Sequence, residues 1–258
     1  MAHSISPLMH NESFRLLGLD YVYLCFDVNE ETLPAAVAGL KTCGIRGFNL
    51  TMPNKNKIVE LLDELSPEAQ LIGAVNTVLN DNGKLIGYNT DGYGFMQSVR
   101  DAGHDITGKN ITVMGVGGAS MAICAQSALD GAASVHIFAR RTSRYWNRTQ
   151  KFAENLSAKT GCQVCLFDND DHTALRDSIA QSYLLINATS VGMVPDIDDT
   201  IIKDTSLFHP ELVVADVVYE PQETRLLREA KAAGCQTFNG MYMLLHPVSY
   251  THLTLPTT

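Results

Sequence analysis

The sequence predicts an α/β fold in two domains, a small N-terminal α/β domain followed by a doubly wound parallel sheet. Three observations carry that prediction. Segments rich in β-branched and aromatic residues alternate with amphipathic segments along the chain. A strand, a glycine-rich turn and an Ala-rich helix follow one another from Asn110 to Leu129. Between the two halves, Asp91 opens a helix that leads into the second domain, so the joint is placed near Asp91, where ligands of two-domain proteins tend to sit.

Taken in order, Tyr21 to Val28 reads as a strand from its aromatic and β-branched residues. Glu31 to Cys43 carries Leu33, Val37 and Leu40 at helical spacing and stops before Gly44. Gly47 to Leu50 is a short strand. Lys57 to Leu65 puts Ile58, Leu61, Leu62 and Leu65 on one helical face. Thr77 to Leu79 and Leu85 to Tyr88 flank Asp81-Asn82-Gly83, a hairpin turn signal. In the second half, helices are expected over Asp91–Gly103 and Ala119–Leu129, over a long stretch ending at Lys159, near Ala174–Ala180 and over Thr224–Ala233. Strands are expected at Asn110–Met114, Ser134–Phe138, Val164–Phe167, Leu184–Asn187 and Val213–Val217.

Composition narrows the function. The 258 residues suffice for two modest domains, and 45% hydrophobic residues with a mean hydropathy near zero support ordinary cores. A net charge of −9 argues against nonspecific nucleic-acid binding and against anionic membrane surfaces. No apolar run approaches the roughly 20 residues of a membrane helix, and Met1 to Pro7 lacks a signal-peptide pattern, so the expected location is the cytoplasm. Of six cysteines only Cys162-Gln-Val-Cys165 form a close pair. With no second pair or His ligands beside them, they read as small buried residues in or near a strand. Asp168-Asn169-Asp170-Asp171 lacks the glycine and distal glutamate of a calcium loop and reads as a solvated loop, and no metal is expected.

Gly115-Val116-Gly117-Gly118-Ala119 has the setting a dinucleotide cradle needs. Glycines let the backbone approach a pyrophosphate, and the helix start offers free N–H groups and positive dipole. Ser120 replaces the usual third glycine. An NAD site commonly carries an acid at the end of the next strand to hold the ribose hydroxyls. Here that strand ends in Phe138-Ala139-Arg140-Arg141-Thr142-Ser143-Arg144, without an acid. Guanidinium groups suit a 2′-phosphate, which favours NADP(H) and leaves NAD open as a second cofactor. The alternative is a solvated basic helix start, whose cations oppose the dipole and call for a compensating anion.

Lys55 alone reads as a solvated lysine. Its company changes that reading, because Asn49, Thr51 and Lys55 cluster at the end of a short strand and Asn76 and Asp91 fall at comparable ends. Asp91 also reads as an N-cap for the helix after it.

These motifs together resemble the shikimate dehydrogenase family, and most closely its quinate/shikimate dehydrogenase branch. His3-Ser4-Ile5-Ser6-Pro7 resembles the serine motif for the substrate carboxylate, and Asn49 to Lys55 the catalytic-lysine motif. Gly73 to Thr77 and Tyr88 to Gly92 resemble two further substrate motifs, and Gly115 to Ala119 the cofactor loop. Asn187 to Met193, which contains Ser190, and Val218 to Pro221 match later cofactor-side segments. The resemblance implies a substrate-binding domain over residues 1–91, to which 239–258 return, and a Rossmann-like NAD(P) domain over 92–238. It implies reversible reduction of 3-dehydroshikimate to shikimate on the route to chorismate and the aromatic amino acids, with quinate as a further substrate. Ser4 and Ser6 would hold the carboxylate, and Asn49, Thr51, Asn76 and Asp91 the ring hydroxyls. Lys55 and Asp91 would form the catalytic pair, the lysine supplying the proton as hydride reaches the ketone. Arg140, Arg141, Thr142 and Arg144 would face the ribose phosphate, and Val217, Tyr219 and Gly240 would line the nicotinamide side. The partner is a small molecule, with the chain a monomer or homodimer.

The chain departs from the family at both ends. Met1 stands almost directly before His3-Ser4, where the family has a strand. Pro247 replaces a substrate-contacting glutamine, and 248–258 do not resemble the family's closing helices. The reading is therefore a gene truncated or frame-shifted at its ends, and the competing function is an inactive nucleotide-binding remnant of such an enzyme.

Overall fold

In the computed structural model the described residues are 6–240, and they form two compact units, 6–66 with 73–88 and 67–72 with 89–240. In chain order the first unit contains helix α1 (Ser6–Leu17), α2 (Leu33–Thr42), strand β1 (Gly47–Asn49), the short α3 (Asn54–Lys57), a 3-10 turn at Ile58–Leu61 and β2 (Glu64–Leu65). After α4 (Pro67–Ile72) come β3 (Thr77–Asp81) and β4 (Lys84–Tyr88). Its four-stranded sheet runs β1-β3-β4-β2, with both of β3's pairings antiparallel and β2 parallel to β4. The expected hairpin forms at Asn82-Gly83, where the Asn80 side chain accepts the Gly83 N–H at 2.8 Å.

Two expectations fail in this unit. Tyr21 to Val28 is not a strand. A β-rich sequence becomes a strand only where a free edge lies in register, and among the described residues β1 pairs with β3 alone. The segment's backbone is instead tied at isolated points, Tyr23 to the Asn11 amide and the Val28 carbonyl to Asn54. Val22, Leu24 and Phe26 stay 72%, 61% and 54% exposed. The expected helix over Lys57–Leu65 also breaks. Leu62 turns extended, and the backbone N–H groups of Asp63 and Ser66 donate to Leu85 and Gly87 of β4, drawing this stretch into the sheet. Helices α1 and α4 arise where no element was expected.

The second unit holds α5 (Asp91–Asp101), β5 (Asn110–Met114), α6 (Gly118–Leu129), β6 (Ser134–Ala139), α7 (Trp146–Thr160) and β7 (Gln163–Asp168). It continues through α8 (His172–Gln181), β8 (Leu184–Asn187), β9 (Val213–Asp216), α9 (Arg225–Ala232) and β10 (Gln236–Phe238), the last not foreseen. Every predicted strand and helix of this half is present within a few residues. The six strands are parallel in the order β10-β9-β8-β5-β6-β7. This is the doubly wound arrangement, and its direction of winding reverses between β5 and β8. Strands buried on both faces read as continuous apolar runs, and β8 and β9 are buried at every position. One side of the core joins Met114, Phe138, Leu185 and Val214 to Ile179, Leu226 and Leu227. Elsewhere α5 lies against α6 at Gly92, where a Cβ would meet the Ala122 carbonyl carbon at 2.8 Å and Gln126 Cβ at 3.0 Å. Among the described residues no helix is long and apolar enough to cross a membrane.

Candidate active site

In an open α/β sheet, ligands bind beyond the carboxyl ends of the strands where the winding reverses. Here that point is flanked by Gly115, just after β5, and Ala188, just after β8. A cavity of about 430 Å³ opens beside it, lined by Gly117, Gly118 and Ala119, by Ala188, Thr189 and Ser190, and by Val217 to Glu220. That volume lies within the range of small-molecule pockets. Gly117 caps α6 in an extended conformation, and Cβ atoms on Gly117 or Gly118 would enter open space. Gly115 has φ +114°, and a Cβ there would sit 2.9 Å from both the Ala188 oxygen and Thr189 Cγ2. Ser120, in place of the third glycine, is fully buried and donates its hydroxyl to the Gly115 carbonyl at 2.6 Å, bracing the loop. A glycine cradle at the start of a twelve-residue helix fits a dinucleotide pyrophosphate.

The arginines after β6 are exposed. Arg141 stacks on Trp146 at 4.6 Å, and Arg144 lies over Tyr145 at 4.7 Å and donates to its hydroxyl. Among the described residues the Arg140 guanidinium has no hydrogen-bond or ion-pair partner, and Thr142 is exposed beside it. No carboxylate ends β6. On the neighbouring strand, Asp168 of β7 pairs with Ala139 and accepts the Arg141 backbone N–H at 3.4 Å.

Two buried side chains, Asn187 at the end of β8 and Asp216 at the end of β9, adjoin the segments that line this cavity. The Asp216 carboxylate accepts from Asn187 Nδ2 (3.0 Å), from the Val218 N–H (2.9 Å) and from the Thr224 hydroxyl (2.7 Å). Burial pushes its carboxyl up from the ordinary range, against the pull of these hydrogen bonds.

In the first unit, Asn49 Nδ2 donates to Thr77 Oγ1 (3.0 Å), whose hydroxyl donates to Asn76 Oδ1 (3.1 Å). The Tyr23 hydroxyl donates to Asn49 Oδ1 (3.3 Å). Burial first, and the neighbouring Cys25 second, push that phenol up to about 12, so it stays a donor at neutral pH. The Tyr23 ring stacks on His10 at 4.2 Å. Lys55 is half-buried on α3, and its carbonyl accepts the Val75 N–H at 2.8 Å, fixing α3 to the segment before Asn76. Thr51 is exposed and Asn76 is buried. Asp91 belongs to the second unit as the first residue of α5. The cap position is Thr90, which corrects the N-cap expectation, and the Asp91 N–H donates to Asn89 Oδ1 at 3.3 Å. A carboxylate in the first turn still profits from the helix dipole.

The cavity thus gathers Gly117, Gly118, Ala119, Ser190, Val217 and Tyr219. Gly115, Val116, Arg140, Arg141, Thr142 and Arg144 lie outside its lining. Gly240 donates to the Val218 carbonyl at 3.5 Å, its Cα packed on the Val217 backbone. Ser6 starts α1, and Ser4 lies outside the described residues. Reasoning from sequence gave no site role to Tyr23, Thr77, Asn187 or Asp216, although Thr77 and Asn187 lie in the Gly73–Thr77 and Asn187–Met193 segments of the family resemblance.

Comparison with known proteins follows the same lines. The family description for the shikimate dehydrogenase substrate binding domain matches residues 1–78. Shikimate dehydrogenase (NADP(+)) of Listeria innocua serovar 6a is 51% identical over 94% of this chain and 83% of its own length. The crystal structure of shikimate 5-dehydrogenase from Listeria monocytogenes, in complex with shikimate and NAD, superposes with a TM-score of 0.93 at 47% identity, covering 99% of this chain and 93% of that one. Quinate dehydrogenase from Corynebacterium glutamicum, in complex with NAD, superposes with a TM-score of 0.86 at 29% identity, covering 99% and 90%.

Proposed function

The chain belongs to the shikimate dehydrogenase family, and on that premise we propose that it catalyses the reversible, NADP(H)-dependent reduction of 3-dehydroshikimate to shikimate on the route to chorismate. It is an NAD(P)-dependent oxidoreductase acting on a ring CH–OH. The observation that carries the reading is the combination, in one chain, of the glycine cradle at the winding reversal with the Asn49–Lys55 cluster at a strand end.

When bound, NADPH supplies the hydride. Lys55 donates a proton to the ketone oxygen as it becomes an alkoxide, and its charge stabilises that oxygen. Asp91 orients the ammonium. Ser4 and Ser6 hold the substrate carboxylate, and Thr51 and Asn76 hold ring hydroxyls. Asn49 spends one amide N–H on Thr77 and its oxygen on Tyr23, leaving the second N–H for a substrate hydroxyl. In the oxidising direction Lys55 accepts the proton that the substrate hydroxyl gives up. Arg140, aided by Thr142 and Arg144, takes the 2′-phosphate, which gives NADP its preference over NAD. Residues 1–91 bind the substrate and 92–238 the nucleotide. Quinate, which differs from shikimate at the ring, is a second substrate. The protein works in the cytoplasm as a monomer or homodimer.

The test is oxidation of shikimate and of quinate, with NADP+ and with NAD+, followed by nicotinamide absorbance for the chain and for Lys55→Ala. Turnover that collapses in the variant supports the reading, whereas turnover that survives it removes Lys55 from the chemistry. A second reading, nucleotide binding without turnover, is favoured by the segment at 21–28, which joins neither sheet among the described residues. A folded chain that binds NADP+ but oxidises neither substrate would bear it out.

A further inference from the structure

We propose that Asn187 and Asp216 are positioning residues that join the two strand-end walls of the cofactor cavity into one preformed surface for the nicotinamide half of the dinucleotide. The proposal rests on the reading that this cavity holds the cofactor with its nicotinamide against residues 217–219.

The two residues end neighbouring parallel strands, β8 and β9, and both are fully buried. Asn187 Oδ1 accepts the Thr189 N–H (3.1 Å) and the Thr189 hydroxyl (2.6 Å), and the Val191 N–H donates to that same hydroxyl oxygen (3.1 Å). Asn187 Nδ2 donates one proton to the Val191 carbonyl (3.1 Å) and the other to Asp216 (3.0 Å). Asp216 in turn takes the Val218 N–H and the Thr224 hydroxyl. The Asn187 amide is fully used, and each bond fixes either the turn at 189–191 or the turn at 217–218. Those turns carry Thr189, Ser190, Val217 and Val218 of the cavity lining.

A buried carboxylate is a costly way to end a strand, and an apolar residue of similar size would cost less. What an apolar residue cannot do is hold a backbone N–H and a neighbouring amide in fixed directions. Preformed walls matter for the part of a ligand that must meet a reaction geometry. The adenosine half depends instead on the glycine loop and the arginines after β6, to which none of these hydrogen bonds runs.

The experiment uses the full chain and two probes, NADP+ and adenosine 2′,5′-bisphosphate, which lacks the nicotinamide half, titrated by calorimetry. Asp216→Ala is expected to weaken NADP+ about tenfold, the size of one lost hydrogen bond to a charged group, and to leave the bisphosphate unchanged. Asp216→Asn keeps an acceptor for Asn187 and Val218 and should restore NADP+ affinity. In the ligand-free protein, hydrogen exchange at the Val218 amide should quicken in Asp216→Ala and not in Asp216→Asn. Should Asp216→Ala not fold, Thr224→Val removes one bond from outside the cavity, with Thr224→Ser as its rescue and the same split expected. Equal weakening of both probes, or unchanged NADP+ affinity, overturns the proposal. A chain that binds no NADP+, or whose NADP+ affinity ignores Ser190→Trp in the lining, refutes the cavity assignment itself.

Discussion

Gly115→Ala tests whether the cradle's geometry is required by the backbone or merely tolerated by it. At φ +114° an alanine occupies a region that costs about 1–3 kcal/mol. Its Cβ would lie 2.9 Å from the Ala188 oxygen and 2.9 Å from Thr189 Cγ2, closer than the 3.0 Å that real Cβ atoms keep. Relieving that contact means moving the end of β8 away from β5, an overpacking cost of about 1–3 kcal/mol. The reduced freedom of the unfolded chain returns about 0.4–1 kcal/mol. The net is a loss of about 3 kcal/mol, which at roughly 2–4 °C per kcal/mol for a unit of this size lowers its midpoint by about 6–12 °C. The assay is built into the chain, since Trp146, its single tryptophan, is 7% exposed in α7 and reports the second unit alone. Thermal unfolding followed by its fluorescence, with and without saturating NADP+, separates lost stability from lost binding. A midpoint unmoved to within a degree, together with unchanged ligand stabilisation, would refute the account of the loop.

Three further outcomes are expected. Arg140→Ala should lower NADP+ affinity by about 10–100-fold, the worth of a charge-assisted bond, and leave NAD+ affinity unchanged; calorimetry with both cofactors checks it. Gly92→Ala forces α5 from the Ala122 carbonyl and should destabilise the second unit by about 1–3 kcal/mol, read as a fall in the Trp146 midpoint. The half-buried His136, whose Nδ1 lies 2.9 Å from Ser178 Oγ, is held below the ordinary imidazole range by burial. The unfolded chain therefore takes up a proton near pH 6.5 while the folded chain resists it, so stability is full above that pH and is lost as pH falls below it. His136→Gln should flatten the fall in midpoint measured from about pH 8 to about pH 5.

The parallel sheet was legible because its signals are local. Val213 to Ala215 and Leu184 to Ile186 are unbroken apolar runs buried on both faces, closed by Asp216 and Asn187. The first unit was harder to read because its pairings are not local. Glu64-Leu65 becomes a strand only because Leu85 and Gly87 offer carbonyls to Asp63 and Ser66, and nothing within the segment announces this against a sound helical pattern. Helix α1 buries His10 and leaves Leu8, Leu16 and Leu17 exposed, so its apolar stripe marked no core. The same distinction holds for the site. The glycine loop and the arginine run can be read within a few residues of sequence. Asn49 and Thr77 meet across 28 positions and Asn187 and Asp216 across 29, and no spacing rule connects them.

The stretch at 21–28, which joins neither sheet among the described residues, bears on how the protein behaves in a test tube. A β-prone segment outside a sheet, with apolar side chains as exposed as Val22, Leu24 and Phe26, is a template for intermolecular strand pairing. Association of this kind grows with the square of concentration and is opposed mainly by the repulsion of chains carrying −9 each. Salt shortens the reach of that repulsion to about 10 Å at 0.1 M. Dilute, low-salt buffers should keep the protein dispersed, whereas concentrating it in high salt should drive it into β-rich aggregates whose turbidity rises with ionic strength.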